Sequence, residues 1–222
     1  MPKKLHPKLS KWIHWLEVIK DEVQELVIAK DMFQQVQKMI EDNPLLHRPS
    51  LFYRHFSNTY VSHVVIGLRR QIKGGDQSIS MSRLFEEMIK TPEVLTRAYF
   101  VKLYEDSSIP ELADDDFNEF ADPGTRHINP ALVMADLARL RAAAGRCEEF
   151  ADKRVAHRDK GELKALPTYN DVHVCIDLLN GLYSRYYLLF HAGSMKTLLP
   201  VYQNDWKAVF RVPWIPPVKH NG

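Results

Sequence analysis

The chain has 222 residues, 45% of them hydrophobic and 26% charged, a globular composition long enough for one sizeable core and unlike that of a disordered chain. Its 30 basic residues against 28 acidic ones leave a formal charge of +2, which argues against a protein that coats duplex DNA through bulk charge and leaves room only for a local basic patch. Lys3 and Lys4 are followed by Leu5-His6-Pro7 rather than an apolar run, and no stretch approaches the roughly 18 apolar residues of a membrane span, so a cytoplasmic chain without membrane contact is expected.

In chain order, Trp12, Ile13, Leu16, Ile19, Val23, Leu26 and Val27 recur at three- and four-residue steps, and Phe33, Val36 and Ile40 continue the stripe. This spacing predicts one long helix, or two abutting ones, from about Lys8 to Glu41, stopped at Asn43-Pro44. A second helix follows Pro49-Ser50, with Phe52, Phe56, Tyr60, Val61, Val64, Val65 and Leu68 on its buried side and Gly74-Gly75 at its end. Ser80 or Ser82 caps a short helix through Met88, and Thr91-Pro92-Glu93 has the chemistry of another helix start. Residues 106–130 hold Pro110, Asp114-Asp115-Asp116 and Asp122-Pro123-Gly124 and read as a loop-rich acidic connection. Consecutive carboxylates rarely converge on one ion, so the aspartate triplet is expected in a solvated loop.

Asn129-Pro130 restarts a helix carrying Leu132, Leu137, Leu140 and Phe150. Thr168 to Asp171 resembles a capping box ahead of the most apolar helix, with Cys175, Ile176, Leu179, Leu182, Tyr183, Tyr186 and Phe190. Cys147 and Cys175 make no disulfide framework and are expected as reduced, packed thiols. The aromatic, proline-rich tail is expected to cross the bundle and then fray, irregular over 213–222. No period-two alternation is sustained anywhere. The expectation is therefore a single all-α domain over 1–222, an up-and-down helix bundle.

The stretch most suggestive of chemistry is Phe150-Ala151-Asp152-Lys153-Arg154-Val155-Ala156-His157-Arg158-Asp159-Lys160. On a continuing helix, Lys153 and Arg154 share a face with His157. An imidazole titrates near neutral pH and can act as general acid or base, and a guanidinium beside it can hold a phosphate. Such a pair can run attack by a ribose 2′-hydroxyl on the adjacent phosphodiester without a metal. Basic residues also collect in last helical turns simply to complement the helix dipole.

The segment Asp152-Lys153-Arg154-Val155-Ala156-His157-Arg158-Asp159 resembles the late-helix motif of the HEPN superfamily, in its abortive-infection AbiU-like branch. Phe52-Tyr53-Arg54-His55-Phe56 through Ile66-Gly67-Leu68-Arg69-Arg70, Ser78-Ile79-Ser80, Asp205-Trp206 and Pro213-Trp214 resemble the same branch. The resemblance implies a HEPN-like bundle, often a homodimer, whose active members cut RNA without a metal. It also implies a setting of phage defence or a toxin–antitoxin pair, with an antitoxin or defence-system partner. The superfamily's active motif places an arginine four to six residues before the histidine. His157 fits the histidine, but the arginine positions hold Phe150, Ala151 and Asp152. Either Arg154 or Arg158 supplies the cation, or the chain is a non-cleaving binding or assembly module with a degenerate site.

The expected site is thus His157 as acid/base, Arg154 and Arg158 on phosphate, and Asp152 or Asp159 orienting the imidazole. Lys153, Arg69 and Arg70 extend the RNA-binding patch. No cofactor or metal is called for: no histidine pair has the four-residue helical spacing of a zinc site, and His55 and His63 stand two turns apart. Tyr183, Tyr186 and Tyr187 with Arg185 offer stacking chemistry, but at helical spacing they read as core.

Overall fold

A computed structural model describes residues 5–73, 75, 77–151 and 167–214. Within them the chain is an all-α bundle, with one isolated bridge between Thr96 and His127 and no strand. Helix α1 (Pro7–Asp42) is one continuous helix of 36 residues, about 54 Å long. It starts where His6 Nδ1 accepts the Lys8 N–H at 3.2 Å and where Pro7 occupies the first turn. Leu9, Trp12, Leu16, Ile19, Val23, Leu26, Val27 and Phe33 are buried along it. It stops at Asn43, whose side chain accepts from Leu45 N–H and opens a single 3-10 turn, Pro44–Leu46.

Helix α2 (Leu51–Ile72) is capped by Ser50 and returns antiparallel to α1. Gln71 donates to Glu22 at one end of the pair, and Phe33 stacks on Tyr60 with ring centroids 3.9 Å apart at the other. Midway, a Cβ on Gly67 would lie 2.6 Å from Leu26 Cδ2, so the glycine permits this close approach of the two helices. Tyr60, Val64, Val65 and Leu68 are buried as expected, but Phe52 is 55% exposed. Periodicity marks the inward face of a helix without saying how far the neighbours extend, and the first turn of α2 lies beyond their cover.

Helix α3 (Met81–Lys90) is capped by Ser80, not Ser82, and runs two residues past Met88. The buried Gln71 ties three helices together, because its Oε1 also accepts the Met81 N–H at 3.0 Å. Thr91-Pro92-Glu93 does not start an α-helix. It forms a 3-10 turn, Pro92–Val94, while the Thr91 hydroxyl donates back to Glu87 O. Buried Leu95 is extended, and α4 (Arg97–Lys102) begins two residues later, after the Thr96 cap.

The acidic connection 106–130 is more ordered than expected. It contains a 3-10 turn, Pro110–Leu112, and the short helix α5 (Ala113–Asn118), with Asp114, Asp115 and Asp116 in the first turn. There the carboxylates complement the positive end of the helix dipole. Phe117 and Phe120 anchor the excursion in the core. Arg97 holds it from outside, donating to Thr125 O, Asp114 Oδ1, Asn118 Oδ1 and Asp122 O and lying 4.7 Å over the Phe117 ring.

Helix α6 (Pro130–Phe150) begins at an Asn129 cap and α7 (Tyr169–His191) at a complete Thr168–Asp171 capping box. Leu137 and Leu140 are buried, whereas Leu132, in the first turn of α6, is 36% exposed. Every α7 residue expected in the core is there. Helix α7 runs antiparallel to α1, as the Lys30–Asp177 and Glu17–His191 pairs show. It is also tied to α6, where Arg185 and Tyr186 meet Asp136. The described part of the tail crosses the bundle. Leu198 is held between Gln24 and Asn180, Tyr202 donates to Asp31 at 2.8 Å, and a 3-10 helix, Trp206–Arg211, follows. Of the stretch expected to be irregular, Pro213 and Trp214 lie outside any helix, and 215–222 fall outside the described residues.

Candidate functional site

Of the eight residues assigned to the site from sequence, Asp152, Lys153, Arg154, His157, Arg158 and Asp159 lie outside the described residues. The structure describes how the chain leaves α6 and enters α7 on either side of them. Ala151, the residue after α6, is fully buried, and Phe150 is half-buried against the core. Two of the three places where the superfamily's arginine would stand therefore hold apolar groups packed into the bundle. On the other side, Thr168 Oγ1 accepts the Asp171 N–H at 3.1 Å, while the Asp171 carboxylate accepts the Thr168 N–H at 2.8 Å.

Arg69 and Arg70 lie in the last turn of α2. Next to them, Lys73 Nζ lies 3.7 Å from Glu148 Oε1, so the end of α2 sits beside the last turn of α6. Arg69 is half-buried and engaged with neighbours. Arg70 is exposed and opens onto a groove of about 720 Å³ between α1 and α2, whose lining also includes Glu22, Glu25, His55 and His63. These two histidines share one face of α2, two turns apart. Among the described residues no three His, Cys, Asp or Glu side chains cluster as metal ligands.

Near the start of α7 the side chains form an aromatic box that spacing along the chain did not disclose. Phe33, Tyr60, Tyr169 and His173 come from three helices, with Tyr169 5.1 Å from Phe33 and His173 6.1 Å from Tyr60 between ring centroids. Among the described residues, neither Tyr60 Oη nor His173 Nε2 has a hydrogen-bond partner. Burial pushes the Tyr60 hydroxyl above the ordinary tyrosine range. It holds His173 below the ordinary imidazole range, and nearby Lys30 adds to that lowering. His173 is therefore favoured neutral at pH 7. Tyr169 and His173 share a face of α7, but only the packing of α1, α2 and α7 brings Phe33 and Tyr60 to them.

The other groups singled out are structural. Cys147 and Cys175 are free and buried, with burial pushing their thiols up to about 11 and about 12. They stay protonated and are poor nucleophiles at neutral pH. Tyr183 and Tyr186 are core residues. Arg185 is committed to the buried Asp136, which accepts from Arg185 at 2.8 Å, Arg139 at 3.2 Å and the Tyr186 hydroxyl at 3.2 Å.

A further opening of about 650 Å³ lies between the end of α1, the α1–α2 turn and the first residue of α7, lined among others by Arg48, Tyr53, Arg54, Ser57 and Tyr169. Arg48 and Arg54 are exposed. Tyr169 is the first residue of α7, so this opening reaches the start of that helix. Set against family models, curated proteins and solved structures, the chain matches none.

Proposed function

We propose that this chain is a HEPN-like protein acting on RNA, a metal-independent endoribonuclease whose chemistry lies in the segment joining α6 to α7. His157 serves as general base and acid. Arg154 and Arg158 hold the phosphate, Asp152 orients the imidazole, and Lys153 with the Arg69–Arg70 end of α2 extends the basic surface. The observation that carries the reading is the Asp152–Asp159 motif itself, set between two helices of an all-α bundle. The contact of Lys73 with Glu148 supports it, because it brings the basic end of α2 to the helix from which the motif leaves. Homodimerisation, a phage-defence or toxin–antitoxin setting with an antitoxin partner, and residence in the cytoplasm belong to the same proposal. No helix among the described residues is long and apolar enough to cross a membrane.

A second reading is a non-catalytic RNA-binding or assembly module, favoured by the burial of Ala151 where an arginine would be needed. Incubating total RNA with the wild-type chain and His157→Ala in the presence of EDTA separates the two. Cleavage by the wild type alone supports the enzyme. An inert wild type that still retains RNA supports the RNA-binding module, and one that neither cuts nor retains RNA removes both RNA readings and leaves assembly.

A further inference from the structure

Four aromatic residues of the C-terminal segment, Tyr202, Trp206, Phe210 and Trp214, follow at four-residue steps. Their successive ring centroids lie 6.4, 6.2 and 6.1 Å apart. The last two line a groove of about 710 Å³ against the end of α1 and the start of α2, together with Phe52, Tyr53, Lys207 and Arg211. This groove shares Ile40, Leu46 and Tyr53 with the opening that holds Arg48, Arg54 and Tyr169, so the two are continuous.

The aromatic surface here is unusually bare. Phe52 is 55%, Phe210 46% and Trp214 62% exposed. Trp214 Nε1 donates to Val209 O at 2.8 Å, which satisfies the polar end of the indole within the segment and leaves the ring for another occupant. The charges on the rim point one way. Arg48, Arg54, Lys207 and Arg211 stand against Asp42, which Lys38 already pairs at 2.7 Å. The side chains of Arg48 and Arg54 have no ion-pair or hydrogen-bond partner among the described residues, and the Arg211–Asp205 pair is solvent-exposed. Exposed aromatic faces interleaved with uncommitted cations are the chemistry of a surface that stacks unpaired bases and tracks a phosphodiester backbone. A duplex would keep its base faces to itself.

We infer that this continuous groove is a docking track for single-stranded RNA, with Phe52, Phe210 and Trp214 stacking bases and Arg48 and Arg54 contacting phosphates. The inference rests on the RNA reading above and adds the strandedness of the substrate and its path. The track runs from the tail to Tyr169, the first residue of α7.

The test uses the full chain carrying His157→Ala, so that bound RNA is not cut, and a short fluorescein-labelled RNA of mixed sequence read by fluorescence anisotropy, free and annealed to its complement. Arg48→Gln with Arg54→Gln, and separately Trp214→Ala, are added to this parent, with circular dichroism confirming the fold. The single strand is expected to bind more tightly than the duplex, and each variant to weaken it about tenfold. The arginine pair should also flatten the salt dependence. Unchanged affinity in both variants, or equal binding of duplex, overturns the track while leaving the RNA reading standing. A parent that binds no RNA overturns both. Self-association that Trp214→Ala abolishes, with RNA affinity unchanged, assigns the face to a protein contact and also overturns the track.

Discussion

Glu87 of α3 receives two donors from α1, the Trp12 indole N–H at 2.8 Å and the Lys11 ammonium at 2.8 Å. Burial alone would push its carboxyl upward. The hydrogen bonds from Lys11 and Trp12 outweigh that and hold it below its ordinary value of 4.5. A depressed folded-state value means that this stabilisation is complete above the unfolded value and is lost as the pH falls through the folded one. Glu87→Gln should therefore cost about 1–2 kcal/mol at neutral pH, and the gap to wild type should shrink in acid, as the pH falls through the depressed folded-state value. Urea titrations followed by tryptophan fluorescence at neutral and at acid pH check this. A gap that persists in acid would show that the charge is not what stabilises the contact.

Asp136 is a sharper case, because its side chain is 3% exposed and accepts from two arginines and a buried tyrosine. Asp136→Ala leaves Arg185 and the Tyr186 hydroxyl without their acceptor and should destabilise by about 3–5 kcal/mol. Equilibrium urea unfolding measures it, and a loss below 1 kcal/mol or so would mean that water replaces the carboxylate. Nothing in the sequence marks Asp136, since it is one acid on a helix with charged neighbours. The interaction spans residues 136 and 185 and exists only once α6 and α7 are packed.

At the scale of elements, local signals carried most of the way. The stripe from Trp12 to Val27, the stop at Asn43-Pro44 and the Thr168–Asp171 box are each decided by residues within one or two turns, and the structure keeps all three. The readings that failed depended on neighbours. Phe52 continues the right helical face but outruns its cover, and Thr91 spends its hydroxyl on Glu87 O instead of capping a helix. The acidic stretch folds because Arg97 satisfies several of its carbonyls and side chains at once, a role invisible in an isolated arginine. Arg97→Ala should consequently loosen residues 106–130 while α1 and α7 stay protected. Hydrogen exchange by mass spectrometry would register faster exchange confined to that stretch, whereas uniform acceleration would show the excursion to be integral to the core.

For the whole molecule, the near balance of charge conceals segregation. Acidic residues gather in the α4–α6 excursion, while exposed cations and aromatics collect around the α1–α2 turn and the C-terminal segment. The four-residue aromatic spacing from Tyr202 to Trp214 is legible in the sequence. Its partnership with Arg48 and Arg54 is not, because the tail must first cross α7 and α1 to reach them. The motif around His157 is legible only as a pattern of charged residues, and the structure adds that Ala151, just before it, is buried.

The proposed ribonuclease activity would be written in the ends left on cut RNA. A defined single-stranded RNA is incubated with the wild type in EDTA and the fragments are read by mass spectrometry. Attack by the 2′-hydroxyl predicts 2′,3′-cyclic phosphate on one fragment and a 5′-hydroxyl on the other, both absent with His157→Ala. Fragments ending in 3′-hydroxyl and 5′-phosphate, or an RNA left intact at high protein concentration, would contradict it.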